Sequence, residues 1–307
     1  MFNANVKQKF IEMRTRETVH PEEFYYRIFE MADPFEKEYN RDISAFNKSQ
    51  ILGFYKFLNF STAQTYRNIN SILNMYAQFC FDIGLLENGQ NHYSFIDTND
   101  FNSCVNSKYL KNMLITEEDM RFFLNDLYNS RDQFLILSLF EFGTSKKYKD
   151  IVTIKISDID EESEILHLDG RVVKVSKQWI NIAHEADECL EYKLYNDSKH
   201  HEKIDLVPSE YIYKESIRAR KVEDDLARTK RMAHGFLTLR DYLGMPREIK
   251  MKNIITSGKI ATIRRESKVI GMDPVDYIKL HKKEIDNQFG SMTVWSHFID
   301  AFKDYLY

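Results

Sequence analysis

The chain has 307 residues, 43% of them hydrophobic and 29% charged, with a formal net charge of −4. That length suits roughly two domains of about 150 residues. Only 10 Gly and 5 Pro are present, which argues against an all-β fold with many tight turns and for long helices. Three widely spaced cysteines, Cys80, Cys104 and Cys189, offer neither a CxxC nor a Cys/His ligand spacing, so they read as reduced thiols of a cytoplasmic protein. No run of about 18 apolar residues occurs and the start MFNANVKQKF lacks an apolar signal core, so no membrane partner is expected.

Residues 1–40 read as an N-terminal helical arm. Pro21-Glu22-Glu23 opens a helix, since Pro tolerates the first helical position and acids there suit the dipole; Asp33-Pro34 should end or kink it. A helical domain over 41–90 follows, with one helix over Ser44 to Leu58. A second, N-capped by Ser61, runs to Gly84 with Tyr66, Ile69, Ile72, Leu73, Tyr76 and Phe79 on one face. Residues 91–112 are polar and rich in turn signals and read as a linker.

A second domain then covers 113–307. Thr116 and Asp119 have the spacing of a capping box. The apolar run Phe134 to Phe140 gives a helix that breaks at Gly143. A basic turn, Lys146-Lys147-Tyr148-Lys149, leads into a short helix and the acidic turn Ser157-Asp158-Ile159-Asp160. Glu164 to Asp169, Arg171 to Val175 and Trp179 to Ile182 have β character, and Asp169-Gly170 is a hairpin signal, so a small three-stranded antiparallel sheet is expected. Helical spacing returns over His184 to Tyr195, Val222 to Leu243, Ser257 to Ile270, Asp273 to Lys283 and Met292 to Leu306. The fold class is therefore mainly α with a small antiparallel sheet.

Charge is unevenly placed: Tyr211 to Lys283 holds 18 Lys/Arg against 9 Asp/Glu. A locally basic face on an acidic protein is compatible with a polyanion partner, because phosphate binding follows local charge; a solvated helix surface gives the same count. There is no GxGxxG or P-loop, so no nucleotide cofactor is expected. The pair His200-His201 stands alone in a polar loop and does not suggest a metal.

The segment Ile151-Val152-Thr153-Ile154-Lys155-Ile156-Ser157-Asp158-Ile159-Asp160, within Leu137 to Asp160, resembles the start of the catalytic domain of tyrosine recombinases of the phage-integrase type. Ser61 to Gly84 resembles that family's core-binding helix, and the likeness runs in order over about 45–307. It implies a helical core-binding domain followed by a mixed catalytic-type domain, together clamping double-stranded DNA. The resemblance places Asp150 at the family's acidic position and Lys147 at its first catalytic arginine; the hairpin lysine becomes Lys174 or Lys177. The family's histidine–arginine box falls on Gly258 to Ile263, putting Gly258 at the histidine and Ala261 at the second arginine. The later basic residue becomes Ser291 and the nucleophilic tyrosine Asp300.

Lysine meets a phosphate as a point charge and cannot supply the planar two-pronged clamp of arginine. Losing one stabilising donor costs about 10²–10³ in rate, and here the two arginines, the histidines and the tyrosine are all missing at the aligned places. The expectation is a DNA-binding protein without recombinase activity, similar in design to the integrase-fold repressors of SP-beta-like prophages. Such a protein would control lysogeny in the cytoplasm of a bacterial host, with no cofactor, and with an antirepressor protein or a second copy as a possible further partner. Candidate phosphate contacts are Lys146, Lys147, Lys149, Lys174, Lys177, Arg218, Arg220, Lys259, Arg264, Arg265 and Lys268. Gln64, Thr65, Arg67 and Asn68 are candidates for base readout, though ordinary helix-face polars look the same. Two alternatives stay open: an active recombinase with a displaced site using Tyr305, and an accessory architectural protein acting through protein partners.

Overall fold

The computed structural model describes residues 2–17, 21–60, 62–86, 90–106, 112–144, 148–195, 202–218, 224–290 and 293–307. They fall into two units, Met1–Lys111 and Asn112–Tyr307. Helices dominate, with small antiparallel sheets confined to the second unit, so the expected fold class stands.

The first unit comprises α1 (Ala4–Glu17), α2 (Glu22–Tyr39), α3 (Lys48–Leu58), α4 (Ala63–Asp82) and α5 (Thr98–Cys104). Phe10, Phe29, Phe54, Tyr76 and Phe101, one from each helix, share a single core. The stretch expected as a separate arm is therefore part of the helical unit. So are residues 92–104 of the expected linker: a tight turn at His92–Phe95 and α5 send Tyr93, Ile96 and Phe101 into the same core. The polarity that suggested a linker belongs to the caps, Asp97 and Asp100 forming a capping box at the start of α5.

The apolar spacing of α1 is thin because one of its core residues is charged. Lys7 is fully buried and paired with Glu36 of α2, with Asp42 at 3.6 Å, and Tyr76 donates to Asp42 at 3.1 Å. Burial raises the Glu36 carboxyl pKa, with the Lys7 hydrogen bond opposing. Pro34 does not end α2: the helix runs through it to Tyr39, because Ile28, Phe29, Ala32 and Glu36 are buried on both sides of the missing hydrogen bond. The cap of α4 is Thr62, whose side chain accepts from Thr65 N; Ser61 lies outside the described residues.

The second unit is built on α7 (Ser130–Glu141), whose residues Phe134 to Phe140 are all buried. Before it, α6 (Glu117–Asp126) starts with the expected capping box: Thr116 Oγ1 accepts from Asp119 N at 3.0 Å, and Asp119 accepts from Thr116 N at 2.8 Å. After it come α8 (Lys149–Thr153), β1 (Ile159–Asp160), β2 (Ile165–Leu168), β3 (Arg171–Lys174) and α9 (Lys177–Glu188). The sheet has the order β1-β2-β3, antiparallel throughout. Its outer strand is Ile159–Asp160, not Trp179 to Ile182, which lies in α9. The cap settles that: Ser176 Oγ accepts from Trp179 N at 3.1 Å, after which Trp179, Ile180, Ala183 and Ala186 fall on one buried helical face. Trp179 packs on Phe134 and Phe142 and donates to Ser138 Oγ at 2.8 Å. The helix expected over His184 to Tyr195 ends at Glu188, and β4 (Glu191–Lys193) pairs with β5 (Lys203–Asp205). Last come α10 (Asp225–Tyr242), α11 (Met251–Val269), α12 (Pro274–Phe289) and α13 (Trp295–Phe302). Ile263, Ile278, Ile285, Phe289 and Phe298 hold the last three together.

Candidate nucleic-acid interface

The turn after α7 is fixed by Gly143. Its φ is +59°, and an added Cβ would sit 2.9 Å from both Ile255 Cγ2 and Phe289 O, so neither the conformation nor the space admits another residue. Lys146 and Lys147 lie outside the described residues. Lys149, the first residue of α8, is 59% exposed and pairs with Asp225 of α10 at 3.0 Å, a hydrogen bond that raises its pKa.

Asp150 pairs with a residue the sequence reading passed over, Arg171, at 3.0 Å. Arg171 Nη1 also donates to the carbonyls of Phe142 (3.0 Å), Asn287 (3.1 Å) and Gln288 (2.8 Å). Burial lowers its pKa and Asp150 opposes the shift. One guanidinium thus satisfies carbonyls just past α7 and in the last turn of α12, where the helix dipoles favour a cation. The signal was alternation: Arg171 shares the inward face of β3 with Val173.

Lys174 lies on the exposed face of β3, and Lys177, 82% exposed, is 3.7 Å from Glu164. Lys174 and Arg265 line one groove of about 1010 Å³, along with Arg121 and Lys283. Its walls also carry Glu117, Glu141, Glu164, Glu266 and Glu284, and Arg265 leans to Glu117 at 3.6 Å. A groove whose acids outnumber its bases is not a track for a polyanion, so the cations facing out of it matter more than the groove itself. Arg264 and Lys268 are exposed on α11 without an ion pair among the described residues. Arg218 is exposed and paired with Glu202; Arg220 lies outside the described residues.

Lys259 requires correction. Its side chain is not at the surface: the residue is 5% exposed, donates to Thr293 Oγ1 at 2.7 Å and lies 5.5–5.9 Å from the ring centres of Trp295, Phe289 and Phe298. Burial lowers its pKa to about 8. A lysine enclosed in this way is not available to a phosphate. Pairing with acids outside the stretch also reduces the basic surplus of Tyr211 to Lys283, since Lys214 meets Asp187, Arg218 meets Glu202 and Arg265 leans to Glu117. Arg247, Lys250 and Lys252 are exposed without ion pairs among the described residues. They flank the start of α11, which the sequence reading set several residues later.

In the first unit, Gln64, Thr65, Arg67 and Asn68 occupy the first turns of α4. Gln64 donates to Asn68 Oδ1 at 2.8 Å, Arg67 to Gln64 Oε1 at 3.4 Å, and the Thr65 and Thr62 hydroxyls are 3.0 Å apart. They form one polar, hydrogen-bonded strip at the positive end of a helix dipole.

Gly258 lies where α11 meets α7, and a Cβ there would fall 1.7 Å from Phe140 O, so no histidine fits. Asp300 is exposed on α13, and Ser291 lies outside the described residues. Tyr305 packs against the cluster formed by the last helices, and Tyr307 donates to Asp273 at 2.7 Å. Among the described residues no group of His, Cys, Asp and Glu could hold a metal ion, and no helix is long and apolar enough to cross a membrane.

The family described as "MrpR, N-terminal core-binding domain" matches residues 1–82, and "MrpR, C-terminal catalytic domain" matches residues 114–305. A relative from Bacillus subtilis (strain 168), "SPbeta prophage-derived uncharacterized protein YopR", is 24% identical over 224 residues, covering 70% of this chain and 67% of its own. A crystal structure of XerA recombinase, 12% identical, aligns over 99% of this chain and 93% of its own with a TM-score of 0.41. With most of its length matched by those two domains, the chain belongs to the MrpR family and has its two-domain build, a core-binding domain followed by a domain of the family's catalytic type.

Proposed function

We propose that this protein is a sequence-specific double-stranded DNA-binding protein that occupies DNA without cutting it and acts as a phage transcriptional repressor controlling lysogeny. The observation that carries the loss of cleavage is Gly258, whose place against the backbone of α7 leaves no room for the family's histidine. DNA occupancy is supported by the match to a core-binding domain, the polar strip at the start of α4 and the exposed cations Lys149, Lys174, Lys177, Arg264 and Lys268. Those cations would neutralise phosphates and give a steep salt dependence, with sequence read from the first turns of α4. The relative's prophage origin supports the biological setting.

Selection of bound fragments from host and phage genomes tests the first half: the expected outcome is a short repeated element in promoters, bound tightly and repressing a reporter. A nicked suicide duplex tests the second. No covalent adduct is expected; an adduct that Tyr305→Phe abolishes would establish an active recombinase instead. Binding without sequence preference, unaffected by Lys149→Gln and Lys174→Gln, would point to an accessory role through protein partners.

A further inference from the structure

The β2–β3 hairpin carries Lys174, and β3 is an edge strand, so its outer backbone groups have no strand to pair with. The last turn of α12 takes that place. Asn287 Nδ2 donates to Val172 O at 2.8 Å. Gln288 brackets Lys174, accepting from its backbone N at 3.0 Å and donating to its carbonyl at 2.7 Å. The same Gln288 amide donates to Glu141 O at 3.0 Å, at the end of α7. Arg171 closes the arrangement from inside through Asp150 and three carbonyls. Hairpin, α7 terminus and α12 terminus are thereby tied through the backbone of Val172 and Lys174.

We propose that Arg171, Asn287 and Gln288 form a clasp that holds the hairpin in one place, making Lys174 a preset phosphate contact rather than an element that moves onto DNA. This rests on the DNA-binding reading above. The three are positioning residues: they act through Lys174 and touch no DNA themselves. A hairpin ordered in advance loses little freedom on binding, so the contact contributes more of its attraction to affinity.

The test uses the full chain and random-sequence duplex DNA. Asn287→Ala with Gln288→Ala removes the edge contacts from one exposed and one half-buried side chain, which spares the core; Arg171→Gln is the companion variant. Hydrogen exchange at Lys174 should speed up by about tenfold in N287A/Q288A. Duplex affinity should fall about fivefold. Adding Lys174→Gln to N287A/Q288A should then change affinity far less than Lys174→Gln does alone, as coupled positions do. Additive losses, or unchanged affinity beside accelerated exchange, would overturn the clasp while leaving DNA binding intact. A wild-type chain that ignores duplex DNA would overturn both, and exchange that stays slow in N287A/Q288A would overturn the clasp on its own. Arg171→Gln matching N287A/Q288A in all three readings is the expected confirmation; an Arg171→Gln chain that binds duplex like wild type overturns the role given to Arg171.

Discussion

Lys149 and Lys259 were equal as sequence: single lysines in basic stretches of a predicted DNA-facing domain. The structure places them in opposite environments. Lys149 stands in solvent at the head of α8 with Asp225 beside it, whereas Lys259 lies 5% exposed among Trp295, Phe289 and Phe298. The first stays open to solvent; the second joins α11 to the loop before α13. The difference shows that a count of basic residues overstates a binding surface wherever long side chains are recruited into packing.

The comparison breaks most readily at the neighbour of Lys259. Gly258→Ala forces a Cβ into Phe140 O and should destabilise the second unit by about 3 kcal/mol or more, seen as a fall in the urea midpoint. A neutral result would mean that α11 and α7 cross elsewhere.

Lys259→Met comes next. Exchanging a desolvated cation for an apolar chain of similar shape should raise stability at pH 7 by about 2 kcal/mol. The sign with pH follows from the pKa, lowered from 10.5 to about 8. Below about 8 the lysine is protonated in both states and the folded state bears the desolvation. As pH rises toward 10.5 the folded chain releases its proton while the unfolded chain keeps it, so wild-type stability grows relative to the variant. The advantage of Lys259→Met should therefore fade across that window. A difference constant from pH 7 to 10.5 would show that Lys259 is not enclosed.

Salt titrations sharpen the contrast with smaller effects. Lys149→Gln and Lys174→Gln should each lower the slope of log affinity against log salt by about 1, and Lys259→Gln should leave it unchanged. The smallest effect is Asp225→Asn: removing the carboxylate beside Lys149 should tighten duplex binding by about twofold, with a loss of stability under about 1 kcal/mol because the half-buried Asp225 also lies 3.9 Å from Arg228.

Much of the fold was legible in local chemistry. Thr116 with Asp119, Asp273 before Pro274, and the Asp169-Gly170 turn each placed a boundary, because a cap or turn depends on residues only a few positions apart. Legibility failed where burial overrode local preference. Pro34 does not stop α2, and Trp179 to Ile182 is helical behind the Ser176 cap. The site divides similarly. Lys149 and Lys174 were found as exposed cations, whereas Arg171, Asn287 and Gln288 were missed because the contacts that give them meaning lie more than 100 positions apart in the chain, as from Arg171 to Asn287.

By itself the sequence determined the helical class, the two-part order and the family likeness, all of which follow from residue identity and short-range spacing. Only the tertiary structure decided which cations face solvent, that Gly258 has no room for a side chain, and that the end of α12 serves as the missing neighbour of β3. Those outcomes depend on backbones and side chains brought together from distant positions, where packing and desolvation determine whether a charge stays in water or is enclosed.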